Sequence, residues 1–275
     1  MTSNIFTCPV CKELLFQSGN SMKCCNNHSF DISRRGYVNL LLSNTTSNHG
    51  DDKNMVIARR DFLNLGYYSK LAETISDTIV EYASDRSNIL DIGCGEGYYT
   101  SLVKEKLNSC GNSSLISGID ISKTALDYAC RRNNTISYAV ASAFALPLAD
   151  NAVDIVLNIF APHEISEISR VLKDNGYFVI VLPQKRHLWE LKELVYDNPY
   201  ENESPIPDFN GFSLVQDTNV QYKIDLKNNK EILDLFSMTP YLYTTKPEDM
   251  EKMKAVDHMQ LTADFRIAVL QKNNT

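Results

Sequence analysis

Nowhere in its 275 residues does the chain run to the about eighteen consecutive apolar positions of a bilayer-spanning helix, so no membrane segment is expected. No basic-and-apolar leader precedes the first cysteines: Thr2-Ser3-Asn4 runs straight on, and a cytoplasmic location is the expectation. Internal repeats and long low-complexity tracts are absent too, which sets aside solenoids and arrays. Positive charge is in short supply, with 27 Lys and Arg against 34 Asp and Glu and a net charge of −7. That balance argues against a broadly polyanion-binding surface. Residues 1–65 depart from it, holding seven basic and five acidic side chains. Any contact with a polyanion is expected there.

Cysteine is the residue that is not scarce: there are seven, four of them within the first 25 positions. Without a secretory leader these read as reduced thiols, and such crowding favours a metal over disulfides. Cys8-x2-Cys11, a twelve-residue spacer and Cys24-x3-His28 offer four soft or borderline ligands at tetrahedral spacing. Four protein ligands close the site, so the expected ion is structural Zn2+ and not a source of activated water. Cys25 is an alternative to Cys24, which the x3 spacing to His28 favours. Unrelated thiols beside a surface histidine are the plain alternative, and the clustering weighs against it.

Three stretches organise the chain. Residues 1–42 form a turn-rich zinc-binding module that reads as an RNA-recognition element, too short to bury a core without its metal. Residues 43–84 are a polar linker and a helical connection, with helical patterns over 55–65 and 68–82. In residues 85–275, apolar strands are expected at 88–92, 115–119, 136–140, 153–159 and 177–182, alternating with helices near 98–108, 123–132 and 164–173. A last pair of strands, 220–226 and 265–270, flanks a helix at 228–236, and the proline-bearing 198–211 is a loop. This alternation predicts an α/β fold: a Rossmann-like, largely parallel sheet with helices on both faces.

Between the first strand and its helix stands Asp91-Ile92-Gly93-Cys94-Gly95-Glu96-Gly97. Alternate glycines let the backbone turn sharply and approach a ligand. Asp120, ending the next strand, is placed to accept both hydroxyls of a ribose. The spacing is not the dinucleotide Gly-x-Gly-x-x-Gly. A carboxylate at Asp91 would repel a pyrophosphate but suits the ammonium of an amino acid. S-adenosylmethionine is therefore preferred to NAD, with adenine expected near Ala141-Ser142. A tight strand–helix connection without a ligand is the bland reading, and the agreement of Asp91, Asp120 and the alternation outweighs it. Arg34, Arg35, Tyr37, Arg59 and Arg60 mix guanidinium groups and an aromatic ring that can hold phosphates and stack on a base. Taken alone they read more simply as a solvated loop and the wet face of a helix.

Taken together, these residues resemble the bacterial 23S ribosomal RNA (guanine-N1)-methyltransferases of the RlmA type. The likeness runs through Phe6-x-Cys8-Pro9-x-Cys11, Cys24-x3-His28-x-Phe30-Asp31 and Gly36-Tyr37-Val38-Asn39-Leu40-Leu41. It continues in Met55-x2-Ala58-Arg59-Arg60-x-Phe62-Leu63, Leu90–Thr100 and Pro183-x2-Arg186-His187-Leu188-x-Glu190-Leu191-Lys192. It implies a class I methyltransferase sheet, zinc on Cys8, Cys11, Cys24 and His28, and cofactor contacts at Tyr68, Gly95, Glu96 and His187. The implied partner is 23S ribosomal RNA, and a homodimer agrees with the likeness. Guanine N1 is a poor nucleophile until its proton leaves, so a general base is expected. His163, Glu164 and His187 lie near the carboxyl ends of the fourth and fifth strands, where ligands bind in such sheets. With His187 on the cofactor side, His163 and Glu164 remain as candidates, although His163 could equally cap the helix after Pro162. Two other readings stay open: a small-molecule S-adenosylmethionine-dependent methyltransferase, and a non-enzymatic zinc RNA-binding protein.

Overall fold

The zinc-site segment folds as strands, although it is short of residues for a core. In the computed structural model, which describes residues 5–42, 50–205, 207–243 and 245–274, β1 (Phe16–Ser18), β2 (Ser21–Lys23) and β3 (Ser29–Asp31) form an antiparallel meander. A fourth strand, β4 (Val38–Asn39), leaves the meander and pairs parallel with β7 (Ser137–Val140) of the main sheet. The amide of Leu40 extends that ladder by donating to the Val140 carbonyl at 2.9 Å. Most of the expected linker, 43–49, lies outside the described residues. At its far end Asp52 caps α1 (Lys53–Asn64), its carboxylate accepting from the amides of Asn54 and Met55.

The main sheet is built from β5 (Asn88–Ile92), β6 (Leu115–Asp120), β7, β8 (Val153–Ile159), β9 (Leu172–Pro183), β10 (Phe212–Leu226) and β11 (Met259–Lys272). Their order is β10-β11-β9-β8-β5-β6-β7-β4, with β11 antiparallel between β9 and β10 and the other pairs parallel. The helices are α2 (Ser69–Tyr82), α3 (Tyr98–Ser109), α4 (Lys123–Arg132), α5 (Ile165–Val171), α6 (Trp189–Val195), α7 (Asn229–Ser237) and α8 (Pro247–Lys254). This is the Rossmann-like α/β arrangement, largely parallel with helices on both faces, that the alternation predicted. The last two strands are longer than their apolar cores at 220–226 and 265–270. Helix α5 stops at Val171, short of the expected 173, because Leu172 already pairs with Val153.

Strand alternation splits the interior into two layers. Ile89, Ile155, Leu157, Val179, Val181, Ile267 and Val269 point to one face and pack with residues of α2, α3, α4, α6 and α7. Leu90, Ile92, Val156, Phe178, Ile180, Ala268 and Leu270 point to the other, where α5 supplies Ile168 and Val171. The rest of that second layer comes from the N-terminal segment: Phe6, Leu15, Met22, Val38 and Leu40. Residue 42 thus marks a change in local structure but not in core.

Candidate functional site

The two halves of the zinc pattern meet through the meander. The amide of Cys24 donates to the His28 carbonyl and that of Lys12 to the Cys8 carbonyl, making two knuckles that face each other. The ligand atoms of Cys8, Cys11, Cys24 and His28 all lie within 4.8 Å of one another. Cys11 Sγ to Cys24 Sγ is 3.6 Å, and His28 Nδ1 is 3.4 Å from Cys24 Sγ and 3.5 Å from Cys8 Sγ. A tetrahedron with Zn–S bonds of about 2.3 Å has edges of about 3.7 Å, so the donors fit zinc. The Asn26 side chain draws the Cys11 thiol down to about 6, towards the thiolate that a metal needs. Cys25 is exposed and outside the cluster.

A cavity of about 1160 Å³ opens at the carboxyl ends of the central strands, between the cofactor loop, the ends of β8 and β9, and the segment after the ribbon. Gly93, Gly95 and Gly97 all have left-handed φ, of 72°, 56° and 80°. At Gly93 an added Cβ would sit 2.4 Å from the Ala161 Cβ, so only glycine lets this turn pass beneath the loop after β8. Asp91 is buried at the loop's base, where its carboxylate accepts from Thr100 Oγ1 at 2.5 Å. Burial raises its pKa to about 7, against the lowering effect of that hydrogen bond. Asp120 accepts from the amides of Gly95 and Ser122 at 2.9 and 2.7 Å, which fixes its carboxylate at the end of β6. Burial raises this pKa as well.

Glu96 is pinned by Arg132 at 2.6 Å through Oε2, while its Oε1 is buried with no hydrogen-bond partner among the described residues. An orphaned acceptor on the cavity wall is what a bound cofactor with several donors would satisfy. The residues therefore fit S-adenosylmethionine. Tyr68 lines the same wall, locked edge-on against Phe62 and Phe265 at centroid distances of 5.2 and 5.1 Å. His187 is next to it, and its Nδ1 accepts from the Asp264 amide at 3.2 Å. Burial, aided by the Lys192 charge, pushes its pKa down to about 3. The ring is neutral at pH 7, with its proton on Nε2.

Two expectations need correction. His163 does not line the cavity: its ring packs edge-on to Phe178 and Phe209 at 5.5 and 6.0 Å, in the other core layer. Nor does Glu164, which caps α5 by accepting from the Ser166 amide. His163 is held by its ring contacts and Glu164 by the α5 cap, so neither side chain reaches the cavity wall. The basic residues are divided. Arg34 and Arg35 are exposed on the ribbon, and Tyr37 is half-buried beside them. Arg59 lines the cavity and pairs with Asp51, whereas Arg60 pairs with Asp61 and lies over the Tyr128 ring. Thr100 and Arg132, which hold Asp91 and Glu96, escaped the sequence reading; their partners are nine and 36 residues away.

Against known proteins, residues 6–45 match the family model described as RlmA, N-terminal, a zinc ribbon, and residues 83–244 match that of a methyltransferase domain. The chain is 37% identical over 187 residues to the 23S rRNA (guanine(748)-N(1))-methyltransferase of Streptomyces fradiae. That alignment covers 67% of this chain and 65% of the relative. It is also 28% identical over 279 residues to YxjB of Bacillus subtilis, provisionally named a 23S rRNA (guanine-N(1)-)-methyltransferase, covering 98% of both chains. Among solved structures, a chain of the Haloferax volcanii complex between the Trm112 methyltransferase activator and a methyltransferase superposes with a TM-score of 0.52. Identity there is 15%, over 82% of this chain and all of that one, a likeness of fold.

Proposed function

The chain belongs to the methyltransferase-domain family, and from that premise we propose that it is of the RlmA type and transfers the methyl group of S-adenosylmethionine to N1 of a guanine in 23S ribosomal RNA. One observation carries the reading. The cavity that holds the cofactor loop is also lined by Leu41, Gly50, Asp51 and Arg59, which follow the zinc ribbon in the chain. A small-molecule enzyme would have no use for a ribbon joined to its cofactor site.

The cofactor supplies a methyl group already activated by its sulfonium, so the protein's task is alignment and exclusion of water. Asp120 would take the ribose hydroxyls and Asp91 the ammonium, while Tyr68 closes the wall. Neutral His187 would donate from Nε2 and would not collect the N1 proton. The target base must leave its stack, which suits a hairpin loop better than a duplex. Arg34, Arg35 and Tyr37 on the ribbon are the proposed outer contacts, and Arg59 the inner one. Action on ribosomal RNA implies the cytoplasm, and no helix among the described residues is long and apolar enough to cross a membrane. A homodimer rests on family likeness, and light scattering of the purified protein tests it.

The purified protein is expected to methylate a 23S-derived hairpin at one guanine, read as a primer-extension stop because an N1 methyl group blocks pairing. Equal kcat/KM on free guanosine would overturn the choice of substrate. Affinity for S-adenosylmethionine is expected to rise with pH through about 7, where Asp91 ionises. Only its carboxylate attracts an ammonium, so the protonated form below that pH binds weakly. The gain lasts until the cofactor's own amine loses its proton. Calorimetry at pH 7 in buffers of different ionisation enthalpy should record proton release, and Asp91→Asn should abolish it. A flat affinity from pH 6 to 8 would contradict this role.

A further inference from the structure

Seven non-glycine residues among those described take a positive φ, and just two of them, Phe160 and Leu188, are apolar. Both line the cavity. Leu188 is fully buried, so packing accounts for it. Phe160 is 42% exposed, so packing does not.

Phe160 follows the last residue of β8, with φ of 58°. Along that strand Ile155, Leu157 and Ile159 point to the helical core layer, whereas Val156 points to the ribbon layer. Continued alternation would send residue 160 towards the ribbon. The left-handed turn sends its ring the opposite way, to within 5.5 Å of Phe265 in the helical layer. The next residue, Ala161, is the one that abuts Gly93 of the cofactor loop. A strained backbone thus holds an aromatic face open to the cavity, beside the loop that binds the methyl donor. Strain of this kind persists where the surroundings impose it, and it concentrates at functional sites.

We propose that Phe160 is the stacking platform for the target guanine. The inference rests on the guanine reading above. An aromatic side chain is the usual partner of an unstacked base, and it grips the ring's face while leaving N1 free at the edge.

Phe160→Gly, Phe160→Leu and Phe160→Tyr separate the roles. Glycine adopts the left-handed turn freely, so Phe160→Gly should melt at or above the wild-type temperature. Its Kd for S-adenosylmethionine should stay within twofold, while kcat/KM for the RNA hairpin falls at least tenfold. Phe160→Leu keeps apolar bulk without a ring and should lose as much. Phe160→Tyr keeps the ring and should stay within threefold of wild type. Retained kcat/KM in the Gly or Leu variant overturns the proposal. So does a parallel loss of cofactor affinity, which would assign the ring to the cofactor. A wild type inactive on the hairpin would remove the function and this inference together; an active wild type beside an equally active Phe160→Gly removes the inference alone.

Discussion

Cys24→Ala is expected to lose zinc and to melt about 10 °C or more below the wild type. Structural zinc contributes about 10–16 kcal/mol of binding free energy in small modules, comparable with the entire 5–15 kcal/mol of a typical domain. Even if only about 5 kcal/mol of it is lost, the shift at this chain length is roughly 10–20 °C. The effect should not stop at the ribbon. Phe6, Val38 and Leu40 share a core layer with Leu90, Ile92 and Ile119, so a melted ribbon bares the sheet beneath the cofactor site. Cys25→Ser is the control, since that thiol is exposed and outside the cluster. It should keep one zinc per chain and stay within about 0.5 kcal/mol of wild type, as surface changes usually do. Metal content by emission spectroscopy and melting by calorimetry check both. An equal loss in the two variants would mean that crowding of thiols, not coordination, is what matters.

Gly93→Ala is expected to weaken S-adenosylmethionine binding by 100-fold or more. Two obstacles coincide at this position: a φ of 72° and a Cβ that would lie 2.4 Å from that of Ala161. The backbone must move, and the loop that carries Gly95 and Glu96 moves with it. The double variant Gly93→Ala, Ala161→Gly removes the contact and keeps the strain. It should recover a large part of the lost affinity, because a left-handed alanine alone costs only about 1–2 kcal/mol. Isothermal titration of the three proteins decides. No recovery in the double variant would mean that φ alone sets the requirement.

The features that could be read in advance were local ones. Cys8, Cys11, Cys24 and His28 declare themselves by spacing, and the glycines of 93–97 by alternation, since each set lies in one short stretch. Strand β8 is apolar at five of its seven positions, and Asp120 ends the mostly apolar β6. The remainder depends on direction and distance. Val38-Asn39 is too short to announce itself as a strand and exists only because β7 offers a ladder. His163 follows the right strand but packs in the wrong layer, and Glu164 turns back to cap α5, a matter of side-chain direction that spacing does not carry. The environment of His187 is made by Asp264, 77 residues on, whose amide fixes the ring's tautomer. Phe160 was invisible for the same reason: a phenylalanine after a strand looks like core until its φ is known.

The parallel pairing of β4 with β7 bears on what metal starvation would do. A strand of four residues at the rim of a large sheet, stripped of its cover, offers free amides and carbonyls to any neighbouring chain. Zinc bound at the ribbon would thus also protect solubility: without it, exposure of this edge is expected to favour aggregation.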